Sequence, residues 1–188
     1  MVMDEKLIEK KVNLFIIYIN DLPNSLIFGT ATLFADDTCI LFSSISLKVI
    51  EKALNKDLKR LFKWLCCNKI SLNIYKTEVL LFQGPHKTTN DIRLKLNWKL
   101  LSLSNSVKYL GVHLDKFLSW NKHLENLSSK LRKTNGLISK LRHSAPKFIL
   151  LQFYYAFFES HMRYACQIWG QITTNCTRIF RLQKPCDY

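Results

Sequence analysis

The period of the hydrophobic positions changes along the chain. Val12 to Ile19, VNLFIIYI, is an unbroken apolar run closed by Asn20, Asp21 and Pro23, and it fits either a buried strand or the end of a helix. Thr30 to Phe34 and Thr38 to Phe42 are short stretches rich in β-branched and large apolar residues. With Asp36 and Asp37 between them they predict a hairpin with two carboxylates near its tip. From Leu47 to Leu65 the apolar residues Leu47, Ile50, Leu54, Leu58, Leu61, Phe62 and Leu65 recur at intervals of three and four, the period of one buried helical stripe. Lys52, Lys56, Lys59, Arg60 and Lys63 take the opposite side.

Strand-like alternation returns at Ile70, Leu72 and Ile74 and at Val79 to Phe82, stopped by Gly84-Pro85, and further short strands are predicted at Ile92 to Leu96 and Val107 to Leu114. After Asp115 the texture becomes helical. Ser119 is placed as an N-cap, Leu124, Leu127, Leu131, Ile138 and Leu141 form a stripe, and Pro146 suits the first turn of the next helix. Gly136 predicts a bend or early end in the first of these helices. The dense aromatic residues Tyr154, Tyr155, Phe157 and Phe158 are assigned to the core. The resulting expectation is an α+β chain with a subdomain boundary near residues 116–119.

Composition narrows the partners. The 188 residues carry 28 Lys and Arg against 14 Asp and Glu, a net charge of +14, which favours a polyanionic partner, nucleic acid first, over a neutral small molecule. A membrane is not expected: the longest apolar run, Phe148 to Phe158, is far short of the roughly 20 residues a spanning helix needs, and no signal peptide or lipidation start opens the chain. Cys39, Cys66, Cys67, Cys166, Cys176 and Cys186 show no zinc-binding spacing and read as reduced thiols of an intracellular, nuclear or cytoplasmic protein that is not secreted.

Adjacent carboxylates at a turn repel each other, a cost that a divalent cation offsets, and hard oxygen ligands holding Mg²⁺ are the device of phosphoryl-transfer sites. Asp also suits turns for its own reasons. The flanks decide between these readings. LFADDTCILF, Leu33 to Phe42, resembles the Phe-Ala-Asp-Asp signature of reverse transcriptases of non-LTR retrotransposons. Upstream, LFIIYINDLPNSL is similar to the segment these enzymes place before that hairpin. Downstream, Asn68, Leu72, Asn73, Lys76, Thr77 and Phe82 resemble the next palm motif, and VKYLGVHLDKFLSWNKH resembles the strand pair leading into the thumb. The ordered set covers most of Leu14 to Gly170 and is most similar to jockey-like elements.

The resemblance implies a partial polymerase palm over 12–117, a helical thumb over 118–184 and a truncated tail over 185–188, behind an unrelated charged N-terminus, 1–11. It implies that Asp36 and Asp37 bind catalytic Mg²⁺ and that Lys76 approaches the incoming nucleotide's phosphates. It further implies that Tyr109, Leu110 and Gly111 support the primer end. For Lys76 the alternative is a solvated lysine, and for the Tyr-Leu-Gly turn it is core packing. Lys122, Lys130, Arg132, Lys133, Lys140 and Arg142 are candidates to track the backbone of an RNA–DNA duplex formed by RNA template and DNA primer, the alternative being a solvated helix face. An acidic motif and a glycine-bearing motif that the family carries upstream have no counterpart in Met1 to Lys11. The expectation is therefore a chain that lacks its upstream palm segment and does not polymerise alone. A non-enzymatic nucleic-acid-binding protein and a gene remnant are the rival readings.

Overall fold

The computed structural model describes residues 14–84, 92–171, 177 and 179–182, which show mixed helix and strand. They fall into two compact units, one made of residues 14–79 and 92–103, the other of 80–84 and the residues from Ser104 onward. The hairpin at 106–115 is thus grouped with the helices that follow it.

In the first unit, residues 14–19 are helical, which resolves the ambiguous apolar run; Val12 and Asn13 lie outside the described residues. A 3₁₀ turn at Leu22–Ser25 leads to β1 (Thr30–Phe34), which pairs antiparallel with β2 (Asp37–Leu41). Helix α1 (Leu47–Cys67) follows and buries Ile50, Ala53, Leu58, Leu61 and Leu65 as its period predicts. Each of the buried Ile and Leu side chains contributes about 1.5–3 kcal/mol of transfer free energy. Asp57 shares that stripe, being seven residues from Ile50, and is only 1% exposed. Its carboxylate accepts the backbone N–H groups of Ile27 at 2.9 Å, Phe28 at 2.9 Å and Gly29 at 2.7 Å.

The same face of α1 holds the rest of the incoming segment. Arg60 Nε donates to the Ser25 carbonyl at 2.8 Å, Trp64 Nε1 to the Asp21 carboxylate at 3.3 Å, and the Tyr18 hydroxyl to the Asn68 carbonyl. Positions 57, 60, 64 and 68 are one helical row, so residues 18–29 run antiparallel to the helix, clamped once per turn. Arg60, placed by the sequence opposite the apolar stripe, thus also serves as a tether.

Three expected strands shrink for identifiable reasons. Ile70 to Ile74 forms no strand: Lys69 turns through φ 54°, and the Asn73 side chain accepts the Tyr75 N–H to start a 3₁₀ turn at Ile74–Lys76. The Val79 to Phe82 strand reduces to β3 (Glu78–Val79). In Ile92 to Leu96 the side chains of Ile92, Leu94 and Leu96 alternate inward as expected. Only β4 (Lys95–Leu96) pairs, because Asn55 of α1 takes the Arg93 carbonyl and the Lys95 N–H. β4 is antiparallel to β5 (Lys99–Leu100), and β6 (Ser102–Leu103) is parallel to β3.

In the second unit, β7 (Ser106–Tyr109) and β8 (Val112–Asp115) make a tight hairpin, so the strand-like stretch at Val107 to Leu114 is a strand pair turning at Leu110-Gly111, as the resemblance implies. Helix α2 (Asn121–Leu141) follows. Ser119 does not cap it. The first residue outside the helix is Trp120, at φ 63°, and the Asp115 carboxylate instead accepts N–H groups from Phe117, Ser119 and Trp120 at 3.0–3.1 Å and the Ser119 hydroxyl at 3.0 Å. Gly136 causes no early end, since the helix continues through Leu141.

After Pro146 comes α3 (Lys147–Phe153), a π-helical stretch at Tyr154–Glu159 and α4 (Ser160–Arg163), then α5 (Cys166–Trp169). The core joins Val112, Trp120, Leu124, Leu127, Leu131, Phe158, Trp169 and Ile179. Within the dense aromatic stretch only Phe158 is fully buried. Tyr154 stacks on it with centroids 5.2 Å apart, whereas Tyr155 and Phe157 are exposed, contrary to the core assignment. The wider π turn rotates these two positions off the buried stripe. Cys39, Cys66, Cys67 and Cys166 are free thiols; Cys176 and Cys186 lie outside the described residues. No described helix is long and apolar enough to cross a membrane.

Asp57→Ala should destabilise the first unit by about 3 kcal/mol, because it strands three part-buried backbone donors that share one carboxylate. Asp57→Asn, which keeps one acceptor oxygen, should lose less. Urea unfolding of both variants measures the order.

Candidate functional site

The acidic turn is built by the β1–β2 register. Phe34 pairs with Asp37, so Ala35 and Asp36 alone make the connection, and Asp37 is the first residue of β2 rather than part of the turn. Ala35 takes φ 50°, a left-handed conformation that costs a non-glycine residue about 1 kcal/mol or more. Both carboxylates are exposed, and neither has a hydrogen-bond or ion-pair partner among the described residues. The other described aspartates differ: Asp21 accepts from Trp64, Asp57 from three backbone amides, and Asp115 from the turn before α2.

As hard oxygen donors with free lone pairs, Asp36 and Asp37 suit Mg²⁺ chemically. Among the described residues, however, no three His, Cys, Asp or Glu side chains converge as a metal-holding group. The turn by itself supplies too few ligands to grip an octahedral cation, which would keep most of its water. Asp21, with its carboxylate on the Trp64 indole, is no substitute third ligand.

Lys76 ends the 3₁₀ turn at Ile74–Lys76 with its side chain exposed. Its neighbours in the motif are structural. Asn68 caps α1 through its side-chain amide on the Trp64 carbonyl, and Asn73 organises the 3₁₀ turn while accepting the Thr77 hydroxyl at its carbonyl.

In the second unit the Tyr109-Leu110-Gly111 turn is defined by the Tyr109–Val112 pair, with Leu110 at φ 44° and Gly111 at φ 81°. Two successive left-handed residues match the twist of a tight hairpin and favour glycine at the second. The Tyr164 hydroxyl donates to the Leu110 carbonyl, and its ring lies 3.3 Å from where a Cβ on Gly111 would sit. Tyr164, unmarked by any pattern in the sequence, thus covers the turn.

Lys130, Arg132, Lys133 and Lys140 are exposed on α2, where Glu125 is the sole acid, and Arg142 follows its last turn. At 100° per residue Lys122, Lys133 and Lys140 lie on nearly one line, roughly 27 Å long, while Lys130 and Arg132 lie about 80° to either side of it. Lys122 Nζ also donates to the Ser106 hydroxyl at 2.8 Å, fixing one end of that line to β7.

Two histidines feel this charge. Burial pushes His123 below its ordinary value of 6.5, and His113 and Lys130 add to the shift; burial, then Lys122, Lys108 and Lys130, do the same to His113. His123 Nδ1 accepts the His113 backbone N–H at 3.4 Å, while its buried Nε2 has no partner among the described residues. For Asp115 burial acts upward, but its hydrogen bonds to Ser119, Phe117 and Trp120 outweigh it and hold the carboxyl below its usual range.

No family model matches the chain, and no solved structure does. Curated relatives do. The chain is 27% identical over 164 residues to the probable RNA-directed DNA polymerase from transposon X-element of Drosophila melanogaster, covering 84% of this chain and 18% of that protein. It is 28% identical over 171 residues to the RNA-directed DNA polymerase from mobile element jockey of Drosophila funebris, again 84% of this chain and 18% of the relative. It is 26% identical over 104 residues to the Retrovirus-related Pol polyprotein from type-1 retrotransposable element R1 2 of Nasonia vitripennis, covering 53% and 25%. The chain is therefore similar, over most of its length, to RNA-directed DNA polymerases of non-LTR retrotransposons, those of jockey elements among them. It spans about a fifth of the length of those first two relatives.

The depressed histidines predict an acid-labile second unit. Above about pH 6.5 His123 is neutral folded or unfolded. As pH falls through that value the unfolded imidazole takes up a proton that the folded one resists, so stability drops. Asp115 contributes stability above its unfolded value near 3.8 that is lost only at lower pH, as its folded carboxyl protonates. His123→Leu should lower stability at pH 7 but flatten its slope between pH 7 and 5, read from thermal midpoints across that range.

Proposed function

We propose that this chain forms the downstream palm and thumb of an RNA-directed DNA polymerase of retrotransposon origin and contributes to it an acidic turn and a basic duplex-tracking helix. The observation that carries this reading is the pair Asp36 and Asp37, exposed and unpartnered among the described residues, on a Phe-Ala-Asp-Asp hairpin within a chain similar to such polymerases over 84% of its length. Their freedom is a cost for stability and an asset for binding a cation.

In the complete polymerase the cation would bind at Asp36 and Asp37, and bound there it would neutralise charge developing on the transferred phosphate. This chain's own part is to present both carboxylates at a strained, tightly registered turn, with Lys76 as a cation for nucleotide phosphate. The Tyr109-Leu110-Gly111 turn, held by Tyr164, offers a rigid support for the primer end, and α2 offers Lys122, Lys130, Lys133 and Lys140 to a template-primer backbone. Alone, with carboxylates from a single turn, the chain does not clamp cations across attacking and leaving oxygens and does not extend a primer.

Two experiments test this. Binding to an RNA–DNA duplex should be indifferent to sequence and should weaken about a hundredfold between 50 and 200 mM salt if about four cations meet phosphates. Lys133→Glu with Lys140→Glu should reduce both affinity and salt slope; affinity independent of salt would count against the reading. Template-dependent incorporation should be absent from the chain alone with Mg²⁺ or Mn²⁺. It should appear when an upstream palm segment of a jockey-like polymerase is fused ahead of Leu14, and Asp36→Asn should then cost at least about a hundredfold in rate. Incorporation by the unfused chain that Asp36→Asn abolishes would overturn the inactivity.

A further inference from the structure

The turn between β4 and β5 is made by a residue its backbone disfavours. Lys95 pairs with Leu100 and Leu96 with Lys99, leaving Asn97 and Trp98 as the connection, at φ 47° and 66°. This left-handed pair suits Asn-Gly, since glycine reaches positive φ freely and a bulky side chain does not. Trp98 occupies the glycine position and is 90% exposed. Packing gives no reason for an indole here. The other tryptophans are engaged: Trp120 and Trp169 are buried in the core of the second unit, and Trp64 is half-buried with its N–H on Asp21.

A second ring lies beside the first hairpin residue after the turn. Tyr75 is 88% exposed, and Lys99 Nζ sits 4.9 Å from its ring centroid and 3.5 Å from its hydroxyl oxygen. Asn97 and Ile74, the sequence neighbours of the two rings, both line an open depression of about 330 Å³. Its apolar floor comes from Phe62, Leu65, Leu72 and Leu96, with Lys69 on the wall. That volume is at the small end for ligand sites, sufficient for one planar ring system and too small for a duplex. Residues 92–103 contain Arg93, Lys95 and Lys99 and no acid.

We infer that this hairpin tip is a contact for single-stranded nucleic acid, in which an unpaired base stacks on Trp98 while Lys99, held against Tyr75, meets the adjoining phosphate. The inference rests on the nucleic-acid reading above and adds to it a site, separate from the basic helix, that selects unpaired strand. Stacking needs an exposed base face, which a duplex interior denies, and it tolerates any sequence because every base has one. Charge decides between nucleic acid and an apolar protein segment as the occupant, since burying a strip of apolar side chains would gain nothing from Lys99 beside the tip or from a hairpin segment that carries cations and no acid.

The test is an intrinsic-fluorescence titration of the full chain with a short single-stranded oligothymidylate and, separately, with a blunt RNA–DNA duplex. The single strand should quench the exposed Trp98. Trp98→Gly should remove most of that quench and weaken single-strand affinity about tenfold. The same variant should keep or raise the thermal midpoint, because glycine relieves the turn, so loss of binding would not reflect loss of fold. Trp98→Phe should retain part of the affinity, and Lys99→Gln should weaken binding and reduce its salt dependence. Single-strand affinity unchanged in Trp98→Gly, with duplex binding intact, would overturn this inference and leave the proposed function standing. Failure of the chain to bind either nucleic acid would overturn both.

Discussion

The buried carboxylate of Asp57 organises the first unit. An ionised group 1% exposed is tolerable only when its oxygens are satisfied, and here the backbone N–H groups of Ile27, Phe28 and Gly29 do so. Three consecutive amides can converge on one carboxylate only if the chain curls around it. Gly29 makes that possible: a Cβ there would lie 3.0 Å from Ile40 Cγ2 and 3.5 Å from Asp57 Oδ2. The curl leads directly into β1 at Thr30, and the two-residue turn of Ala35 and Asp36 then fixes the register with β2. The exposed acidic turn thus follows a segment anchored by a buried acid on the neighbouring helix.

The second unit uses the same chemistry at a different joint. Asp115, the last residue of β8, gathers the amides of Phe117, Ser119 and Trp120, allowing Leu118 and Trp120 to take left-handed backbone conformations and α2 to start without a side-chain cap of its own. The helix that displays Lys130, Lys133 and Lys140 therefore takes its direction from an aspartate in the preceding hairpin. Trp120 then joins Leu124, Leu127 and Leu131 in the core, so the turn and the buried stripe are one construction. In each unit an aspartate surrounded by backbone donors builds the fold, whereas Asp36 and Asp37 have no such donors among the described residues.

Burial and hydrogen bonding separate roles that residue type alone does not. Within the motif after α1, Asn68 and Asn73 cap and turn the chain while Lys76 projects freely, so one motif holds both scaffold and candidate site. In the Tyr-Leu-Gly turn Leu110 and Gly111 are fixed by Tyr164, and yet the turn stays partly open to solvent. Arg60, although exposed, also tethers Ser25.

By itself the sequence determined what depends on local period and on ordered motifs. The stripes of α1 and α2, the β1–β2 hairpin with its paired aspartates, the basic excess and the similarity to retrotransposon polymerases were legible because each is written in neighbouring residues. Asp57 was half legible, as an acid standing on an apolar stripe. Only the tertiary structure decided its partners, because the amides it holds lie about thirty residues away and carry no side-chain signature. The same holds for Tyr164 over the Gly111 turn, for Asn55 replacing strand partners at Arg93 and Lys95, and for the exposure of Trp98. Backbone amides and carbonyls are identical at every position, so a fold held by side chains gripping backbone becomes visible only when distant segments are brought together.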